Sequence, residues 1–292
     1  MYQCSFFEDY SESSNKIVNV ASVRQLSPFR YPGGKTWFVP RIINWAQSLR
    51  FTPELFIEPF AGGGIISLTI ANENLAKHII MTEIDEEIAA VWKTIFYGDA
   101  DWLINEILSF DMTAQNVKNI LAADCSSDEE IAFRTIIKNR TFHGGILAKG
   151  SGLTKYGENG KGIASRWYPK TLAKRISHIK QFKNKITFIH TNGMDIIRDN
   201  LNGSNAFFLD PPYTAGGKKA GNRLYNHHEL DHETLFSLCG GIDYFLMTYD
   251  VSSEIEVLAE KYNFEIKKIP MKNTHNAKMN EYIIGKDLGA IV

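Results

Sequence analysis

Short apolar runs of strand length alternate along the chain with longer amphipathic stretches of helical periodicity. The apolar runs predict strands at Leu55–Glu58, His78–Thr82, Ile186–His190, Ala206–Leu209, Tyr244–Thr248, Phe264–Ile269 and Glu281–Ile284. The amphipathic stretches predict helices near Lys35–Leu49, Ile65–Ala71, Glu86–Phe96, His232–Leu238 and Ser252–Tyr262. Regular alternation of the two is typical of an α/β fold with a mainly parallel sheet.

The alternation breaks in the middle of the chain. Helical stretches follow one another there without a strand between them, near Asp101–Phe110, Asn116–Ala122 and Asp128–Asn139. A glycine-rich, basic stretch, Gly144–Arg166, comes next, and together these segments indicate an inserted subdomain. We therefore predict a polar extension at 1–26, one domain formed by 27–98 and 186–292, and an inserted region at 99–185.

Charge is distributed unevenly, although the formal net charge is only −1. The segment from Arg134 to Ile186 holds 13 Lys and Arg residues and a single acid, Glu158. Since the whole chain has 32 bases and 33 acids, the remainder holds 19 bases and 32 acids. A basic block on an acidic protein favours a phosphate-binding surface, and a solvated basic face is an equally consistent interpretation of charge alone.

Several classes of protein are excluded by composition. No apolar run reaches the roughly 20 residues that a membrane span needs, and the N-terminal 1–26 lacks the basic-then-apolar order of a signal peptide. Cys4, Cys125 and Cys239 are far apart and form no CxxC pair, which argues against a disulfide framework and a structural zinc site. We expect a cytoplasmic protein that does not bind a membrane.

The tetrapeptide Asp210-Pro211-Pro212-Tyr213 follows the predicted strand Ala206–Leu209 directly. Ligands of open α/β sheets bind beyond the carboxyl ends of strands, where this motif begins. A carboxylate and a backbone carbonyl there suit an aromatic amine as the substrate. Each would accept one hydrogen of the amine, and the nitrogen lone pair, which is delocalised into the ring, would then be localised on the nitrogen. The tyrosine ring would stack on the base. A rigid strand-end turn is the alternative for the motif in isolation.

Two glycine-rich turns accompany this motif. In Phe56–Gly64 a strand runs into consecutive glycines, and the acid Glu58 before them suits a ligand that carries positive charge. Glu83 ends the next predicted strand, where an acid can accept hydrogen bonds from ribose hydroxyls. The second turn, Arg30–Lys35, lacks P-loop spacing but has a glycine pair and a lysine at the start of a helix.

The order of these motifs resembles the Dam-like adenine-specific DNA methyltransferases over nearly the whole chain. Three further segments agree with that family: Asn139–Gly145, Arg166–Pro169 with Leu172 and Arg175, and Lys278–Ile284. The resemblance implies a Rossmann-like sheet that binds S-adenosylmethionine, with a helical and loop target-recognition subdomain inserted in it. The implied reaction is methylation of the N6 amine of an adenine flipped out of double-stranded DNA.

The resemblance also implies a role for particular residues. The pocket for the target base would be formed by the catalytic motif, Asp210, Pro211, Pro212 and Tyr213. The cofactor would contact Tyr31, Gly33, Gly34, Lys35, Glu58, Phe60, Ala61, Gly62, Gly63, Glu83, Asp195 and Asp210. For Asp195 a helix cap is the alternative. DNA would contact Arg140, Lys149, Lys155, Lys161 and Arg166.

The chain departs from the GATC-reading members at His143-Gly144, where those have an aromatic residue followed by Asn. The recognition sequence therefore does not transfer, and a companion restriction endonuclease and the oligomeric state stay open. The closest alternative reaction is N4 methylation of cytosine, since that amine poses the same chemical problem. A nucleotide-dependent oxidoreductase leaves Asp210–Tyr213 unexplained, and a catalytically silent DNA-binding protein would lack that motif.

Overall fold

The protein is described by a computed structural model, which covers residues 17–30, 33–148, 150–154, 156–157, 160–201, 203–213, 230–272 and 278–291. The strands in these ranges are β1 (Leu55–Glu58), β2 (His78–Glu83), β3 (Ile186–His190), β4 (Ala206–Leu209), β5 (Tyr244–Asp250), β6 (Glu265–Lys272) and β7 (Lys278–Gly285). Every predicted strand is present.

Within the described residues these strands form one sheet in the order β3-β2-β1-β4-β5-β7-β6. The pairs from β3 to β5 are parallel, whereas β7 runs antiparallel to both β5 and β6. This arrangement confirms the predicted α/β fold with a mainly parallel sheet. β1 and β4 are hydrogen-bonded neighbours. After β1 the chain continues to β2 on one side of this pair, and after β4 it continues to β5 on the other side. Sheets of this kind bind ligands at such a switch point, where the strand order changes direction.

The α-helices of the described ranges are α1 (Val39–Ser48), α2 (Ile65–Asn72), α3 (Glu86–Phe96), α4 (Ala100–Ser109), α5 (Ala114–Ala122), α6 (Asp128–Thr141), α7 (Pro169–Ile179), α8 (Gly193–Asp199), α9 (His232–Gly240) and α10 (Ser253–Lys261). Short 3₁₀ turns occur at Val20–Ser22, Lys35–Phe38, His143–Gly145, Ile163–Arg166 and Lys180–Phe182. No described helix is long and apolar enough to cross a membrane.

Local sequence explains where several helices begin. Asp85 accepts hydrogen bonds from the first free amides of α3, and Asp99 and Ser127 do the same for α4 and α6. Pro169 opens α7, where its missing N–H costs no hydrogen bond. The sequence patterns did not predict α7 or α8, because α7 lies in the basic segment and α8 is only seven residues long.

The helices at 99–185 pack against α3, which itself lies on β2 and β3, and against one another. Phe133 and Ile136 of α6, and Ile176 of α7, belong to the same buried cluster as Trp92 of α3. The inserted region thus shares a hydrophobic core with the part formed by 27–98 and 186–292, while the domain boundaries themselves stay a prediction. This shared packing brings the ends of α6 and α7 to the carboxyl edge of the sheet.

Candidate active site

A cavity of about 1480 Å³ opens at the carboxyl ends of β1 and β4. Two groups of the charged side chains that line it are named here and the names are kept below; Lys35, Arg198, Asp231 and Lys272 line the cavity as well. The acidic lining consists of Glu58, Glu83, Asp85, Asp195 and Asp210. The arginine lining consists of Arg30, Arg140, Arg166 and Arg175.

Asp210 follows β4 and is held on one side only. Its Oδ1 accepts hydrogen bonds from the Tyr213 hydroxyl at 2.7 Å and the Thr248 hydroxyl at 2.9 Å. Lys35 Nζ lies 3.0 Å from the same oxygen. No donor in the described part of the chain reaches Oδ2. The carboxylate is therefore fixed in orientation while one oxygen keeps its acceptor capacity.

Lys35 is only 3% exposed and lies at the centre of a charged cluster. Besides Asp210 it contacts Glu281 Oε2 at 3.4 Å and donates to the Gly33 carbonyl at 2.9 Å. Burial raises the pKa of Glu281, and the neighbouring Lys35 charge opposes that shift. The family resemblance assigned Lys35 to the cofactor, and the structure places its amine beside the Asp210 carboxylate.

Tyr213 is supported from behind by a second tyrosine. Its ring stacks on that of Tyr249 with a centroid distance of 5.5 Å and an interplanar angle of 29°. Tyr249 is buried, and its hydroxyl lies 2.8 Å from Nδ1 of His232. Burial, together with the charges of Asp210 and Glu281, raises the pKa of Tyr213 well above its ordinary value. The phenol therefore stays neutral, and its hydroxyl donates hydrogen bonds to the carboxylates of Asp210 and Glu281.

The glycine turn after β1 is fixed by hydrogen bonds and close packing. Gly62 donates its N–H to Glu83 Oε2 at 2.9 Å and accepts from Trp92 Nε1 at 3.0 Å. Gly64 has a φ of 63°, and a Cβ there would lie 2.9 Å from the Trp92 ring. Ala61 donates its N–H to the Thr82 carbonyl at 2.9 Å. The predicted cofactor residues Phe60, Ala61, Gly62 and Gly63 all line the cavity, as do Gly33 and Gly34.

The two buried glutamates at this turn bind main-chain amides. Glu58 Oε2 accepts from the Ser67 N–H at 2.8 Å, while Glu83 Oε1 accepts from the amides of Ile84 and Asp85. Burial raises the pKa of Glu58 to about 8, and the charges of Asp210 and Glu83 add to the shift. Burial likewise raises the pKa of Glu83 to about 7. Both carboxyls fix the backbone around the cavity.

Asp195 lies in the first turn of α8 with its side chain 56% exposed. It forms an ion pair with Arg198 at 2.8 Å. The helix cap is Asn192, whose Oδ1 accepts from the Met194 N–H at 3.0 Å, so the capping interpretation of Asp195 is wrong. Gly193 lets α8 approach β1, because a Cβ at that position would lie 2.2 Å from the Pro59 carbonyl oxygen.

Arg140, predicted to bind DNA, is only 8% exposed. Its Nη2 donates to the Pro28 carbonyl, and burial together with the charges of Arg175, Arg30 and Arg166 lowers its pKa to about 9. Arg166 also lines the cavity, and Lys161 is exposed. The remaining predicted residues Tyr31, Lys149 and Lys155 lie outside the described residues.

Asn139 connects the inserted region to the Arg30–Lys35 turn, a role that the sequence alone does not predict. Its side chain accepts from the Arg30 N–H and donates to the Arg30 carbonyl, both at 2.9 Å. It also donates to the Gly145 carbonyl at 2.9 Å. Gly145 has a φ of 75°, and a Cβ there would lie 2.4 Å from the Arg30 oxygen. The sequence signal for this bridge is the segment Asn139–Gly145, which the family resemblance singles out without giving its contacts.

Part of the positive charge between Arg134 and Ile186 is neutralised by acids from outside that segment. Lys138 pairs with Glu87 at 2.6 Å, and Lys180 pairs with Asp101 at 2.5 Å. By contrast, Lys161, Lys170 and Lys174 are exposed. The basic face available to a ligand is therefore smaller than the residue count alone indicates.

Comparison of the sequence with known proteins places the chain in a family. Residues 31–274 match the model described as D12 class N6 adenine-specific DNA methyltransferase. The chain is similar to the type II methyltransferase M.MjaIII of Methanocaldococcus jannaschii, with 23% identity over 287 residues, 87% of this chain and 94% of that protein. It is also similar to the type II methyltransferase M.CviBI of Paramecium bursaria Chlorella virus NC1A, with 24% identity over 251 residues, 81% of this chain and 91% of that protein.

Among solved structures, the chain is similar to a putative RNA methyltransferase, PH1948, from Pyrococcus horikoshii. The TM-score is 0.42 and the identity 11%, over 91% of this chain and 92% of that one. The family model includes the switch-point turn after β1, the tetrapeptide Asp210–Tyr213 after β4 and the whole of the arginine lining except Arg30. The chain belongs to the D12 class of N6 adenine-specific DNA methyltransferases.

Proposed function

We propose that the cavity binds S-adenosylmethionine together with an adenine swung out of a DNA duplex, and that Asp210 and Tyr213 hold the adenine for methylation at N6. The observation that carries this proposal is the one-sided environment of Asp210. Three donors are bound at Oδ1, and Oδ2 is left to accept an amine hydrogen. Adenine rather than cytosine is the base because the family is N6 adenine-specific.

The volume of the cavity supports two occupants. A site for one small ligand typically measures about 300–1,000 Å³, and this cavity measures about 1480 Å³. There is space for a methyl donor and for the base that receives the methyl group. The two occupants would meet at the carboxyl end of β4, where Asp210 and Pro212 line the cavity.

The acidic lining fits the donor. When bound, S-adenosylmethionine supplies an electrophilic methyl group on a positively charged sulfur, and its amino group is also a cation. Glu58 and the backbone from Phe60 to Gly63 would hold the methionine end, with Gly33 and Gly34 beside it. Glu83 Oε2 accepts one backbone hydrogen bond and retains a lone pair for a ribose hydroxyl. Asp195 would lie near the adenine of the donor.

The acceptors at Asp210 address the weak nucleophilicity of the target amine. Oδ2 would accept one amine hydrogen, and the Pro211 carbonyl would accept the other. Drawing both hydrogens out of the ring plane localises the lone pair on nitrogen, so that it can attack in line. Because the carboxylate is already oriented by Lys35, Thr248 and Tyr213, little reorganisation is needed at the moment of reaction.

The stacked tyrosines provide a platform for the base. Extruding a nucleotide from a duplex costs a few kcal/mol, which stacking on an aromatic ring offsets by about 1–3 kcal/mol. The Tyr213 ring is held by Tyr249 on one face and by its own hydroxyl. We assign the duplex backbone to the recognition region, with Lys149, Lys155, Lys161, Arg166 and Arg140 as its predicted contacts.

The setting of the reaction follows from the relatives. Both curated relatives are named type II methyltransferases, which favours a restriction-modification role with a companion restriction endonuclease. We assign the activity to the cytoplasm, with DNA as the partner.

Nucleoside mass spectrometry tests the proposal. Duplex DNA, single-stranded DNA and RNA of one sequence are incubated with the purified chain and S-adenosylmethionine, then digested to nucleosides. N6-methyladenine formed fastest in duplex DNA is the expected result. Faster methylation of single strands or of RNA would contradict the duplex assignment, and absence of transfer without added S-adenosylmethionine identifies the donor.

A further inference from the structure

The arginine lining brings together guanidinium groups from distant parts of the sequence. Arg30 precedes the first glycine turn, Arg140 ends α6, Arg166 ends a 3₁₀ turn, and Arg175 lies in α7. All of them line the cavity that contains Asp210. Like charges at such proximity oppose one another, and the pKa of Arg140 is lowered partly by the other arginines. A cluster of this kind is stabilised by an anion.

Arg140 and Arg175 have unused hydrogen-bonding capacity. Within the described ranges each makes a single hydrogen bond, to the main-chain carbonyls of Pro28 and Ser27 respectively. A guanidinium carries five N–H donors. Neither group forms an ion pair with an acid in the described part of the chain, although burial lowers the pKa of both. Their remaining donors are available to a ligand in the cavity.

The chemistry of the two expected occupants decides which anion this is. The methyl donor carries cationic groups that fit the acidic lining. The flipped nucleotide is joined on each side to a phosphate, and rotation about the backbone brings those phosphates to the cavity with the base. Arg140, Arg166 and Arg175 belong to the recognition region, which the proposed function assigns to DNA. A planar guanidinium also binds phosphate oxygens in a bidentate manner.

We propose that Arg140 and Arg175, flanked by Arg30 and Arg166, bind one DNA phosphate adjacent to the flipped adenine. This inference rests on the proposed function and adds a specific binding site to it. This site differs from contacts made by exposed lysines. Arg140 is buried and Arg175 is partly buried, so their interaction with a phosphate is screened less by salt. It also gives Arg140 a ligand inside the cavity instead of on an outer surface.

The test removes the phosphate charge and the arginine separately and together. Once the methylated adenine is located by modified-base sequencing, duplexes are made with a single neutral methylphosphonate at successive positions around it. Duplex affinity is measured by fluorescence anisotropy for the wild-type chain, for Arg175→Gln and for Lys174→Gln. Lys174 is the matched control, because it is exposed on the same helix and does not line the cavity.

One methylphosphonate next to the target should weaken binding by the wild type about 10- to 100-fold, the range for hydrogen bonds to a charged group. Arg175→Gln should show a similar loss on unmodified duplex and no further loss at that one position. Lys174→Gln should keep the full sensitivity. Arg175→Lys keeps the positive charge but cannot bind phosphate in a bidentate manner, so its duplex affinity should lie between those of the wild type and Arg175→Gln. Thermal unfolding checks that each variant is folded.

Equal sensitivity of Arg175→Gln and the wild type at every position would overturn the phosphate site. So would a loss of S-adenosylmethionine affinity in Arg175→Gln that equals its loss for duplex, because the anion would then be the donor's carboxylate. Failure of the wild type to methylate duplex adenine would instead contradict the proposed function, and the two failures are read from different experiments.

Discussion

The acidic and arginine linings of the cavity differ in how the chain builds them. The acids Glu58 and Glu83 end β1 and β2, and Asp210 follows β4, so one parallel sheet brings them to a common edge. The arginines come from a loop, two helices and a 3₁₀ turn that only the packing of α6 and α7 brings together. Strand order thus assembles the part assigned to the donor, and helix packing the part assigned to DNA.

The two linings are alike in their partners. Glu58 and Glu83 accept from backbone N–H groups, while Arg140 and Arg175 donate to backbone carbonyls. A side chain held by neutral main-chain groups keeps most of its field for a ligand when it is ionised, whereas a pair of opposite side-chain charges would cancel. Asp210 is paired with a buried cation, Lys35, and this pairing fits the role proposed for Asp210, in which the orientation of the carboxylate matters.

Asp210→Ala should have the largest effect, because it removes the acceptor at the amine from the acidic lining. We expect turnover to fall about 100- to 1,000-fold, the usual loss for one preorganised electrostatic contact at a reacting group. S-adenosylmethionine affinity should stay within a few-fold. Transfer of tritium from labelled donor to DNA measures the first, and calorimetry the second. Asp199→Ala is the control, because Asp199 is an exposed acid that does not line the cavity; near wild-type transfer by Asp210→Ala would remove the assignment.

Tyr213→Ala should have the next largest effect. Loss of the stack costs about 1–3 kcal/mol, which corresponds to about 5- to 150-fold in base capture. Tyr213→Phe keeps the ring on Tyr249 and loses one hydrogen bond to Asp210, so its loss should be about 0.5–1.5 kcal/mol. Single-turnover methylation at varied duplex concentration separates the variants. Equal impairment of both would mean that the hydroxyl, and not the ring, carries the role.

Salt dependence distinguishes the lysines predicted to contact DNA from the arginine lining. Replacing Lys149, Lys155 and Lys161 with Ala should lower the slope of log affinity against log salt by about 0.9 for each lost phosphate contact. Donor affinity should not change. Lys77→Ala and Lys261→Ala are controls, since these lysines pair with acids outside the basic segment. An unchanged slope would leave the basic segment as a solvated face.

Sequence patterns predicted most of what the sheet determines. The strands and the motifs after β1, β2 and β4 could be placed, because parallel strands end at one edge and their periodicity is local. The contacts of Lys35 with Asp210 and Glu281 could not, since they join a 3₁₀ turn, β4 and β7 across the fold. Arg140 was expected to face DNA directly. Its burial depends on how α6 packs against Pro28, which no local pattern encodes.

The pH dependence of donor binding should give the smallest effect. The pKa of Glu58 is raised by burial to about 8 from an ordinary value of 4.5, so most of the protein without donor carries this group protonated at pH 7. A cationic donor favours the ionised form, so its binding should release a proton. Affinity should therefore rise several-fold between about pH 7 and pH 8.5 and then level off. Calorimetry in two buffers of different ionisation enthalpy measures the proton release.

Glu58→Gln is the variant that sharpens this prediction, because it keeps an acceptor for the Ser67 N–H and cannot ionise. Its donor affinity should be lower and should change with pH only through Glu83, whose pKa is about 7.

The pH dependence of the free energy of unfolding is an independent test of the raised pKa of Glu58. A carboxyl whose pKa is raised in the folded state stabilises the fold fully below about pH 4.5, and that contribution is lost as pH rises through about 8. Glu58→Gln should thus lose part of the decline in stability that the wild type shows over this range. A wild-type decline that the variant reproduces in full would mean that Glu58 is ionised in the folded chain at neutral pH.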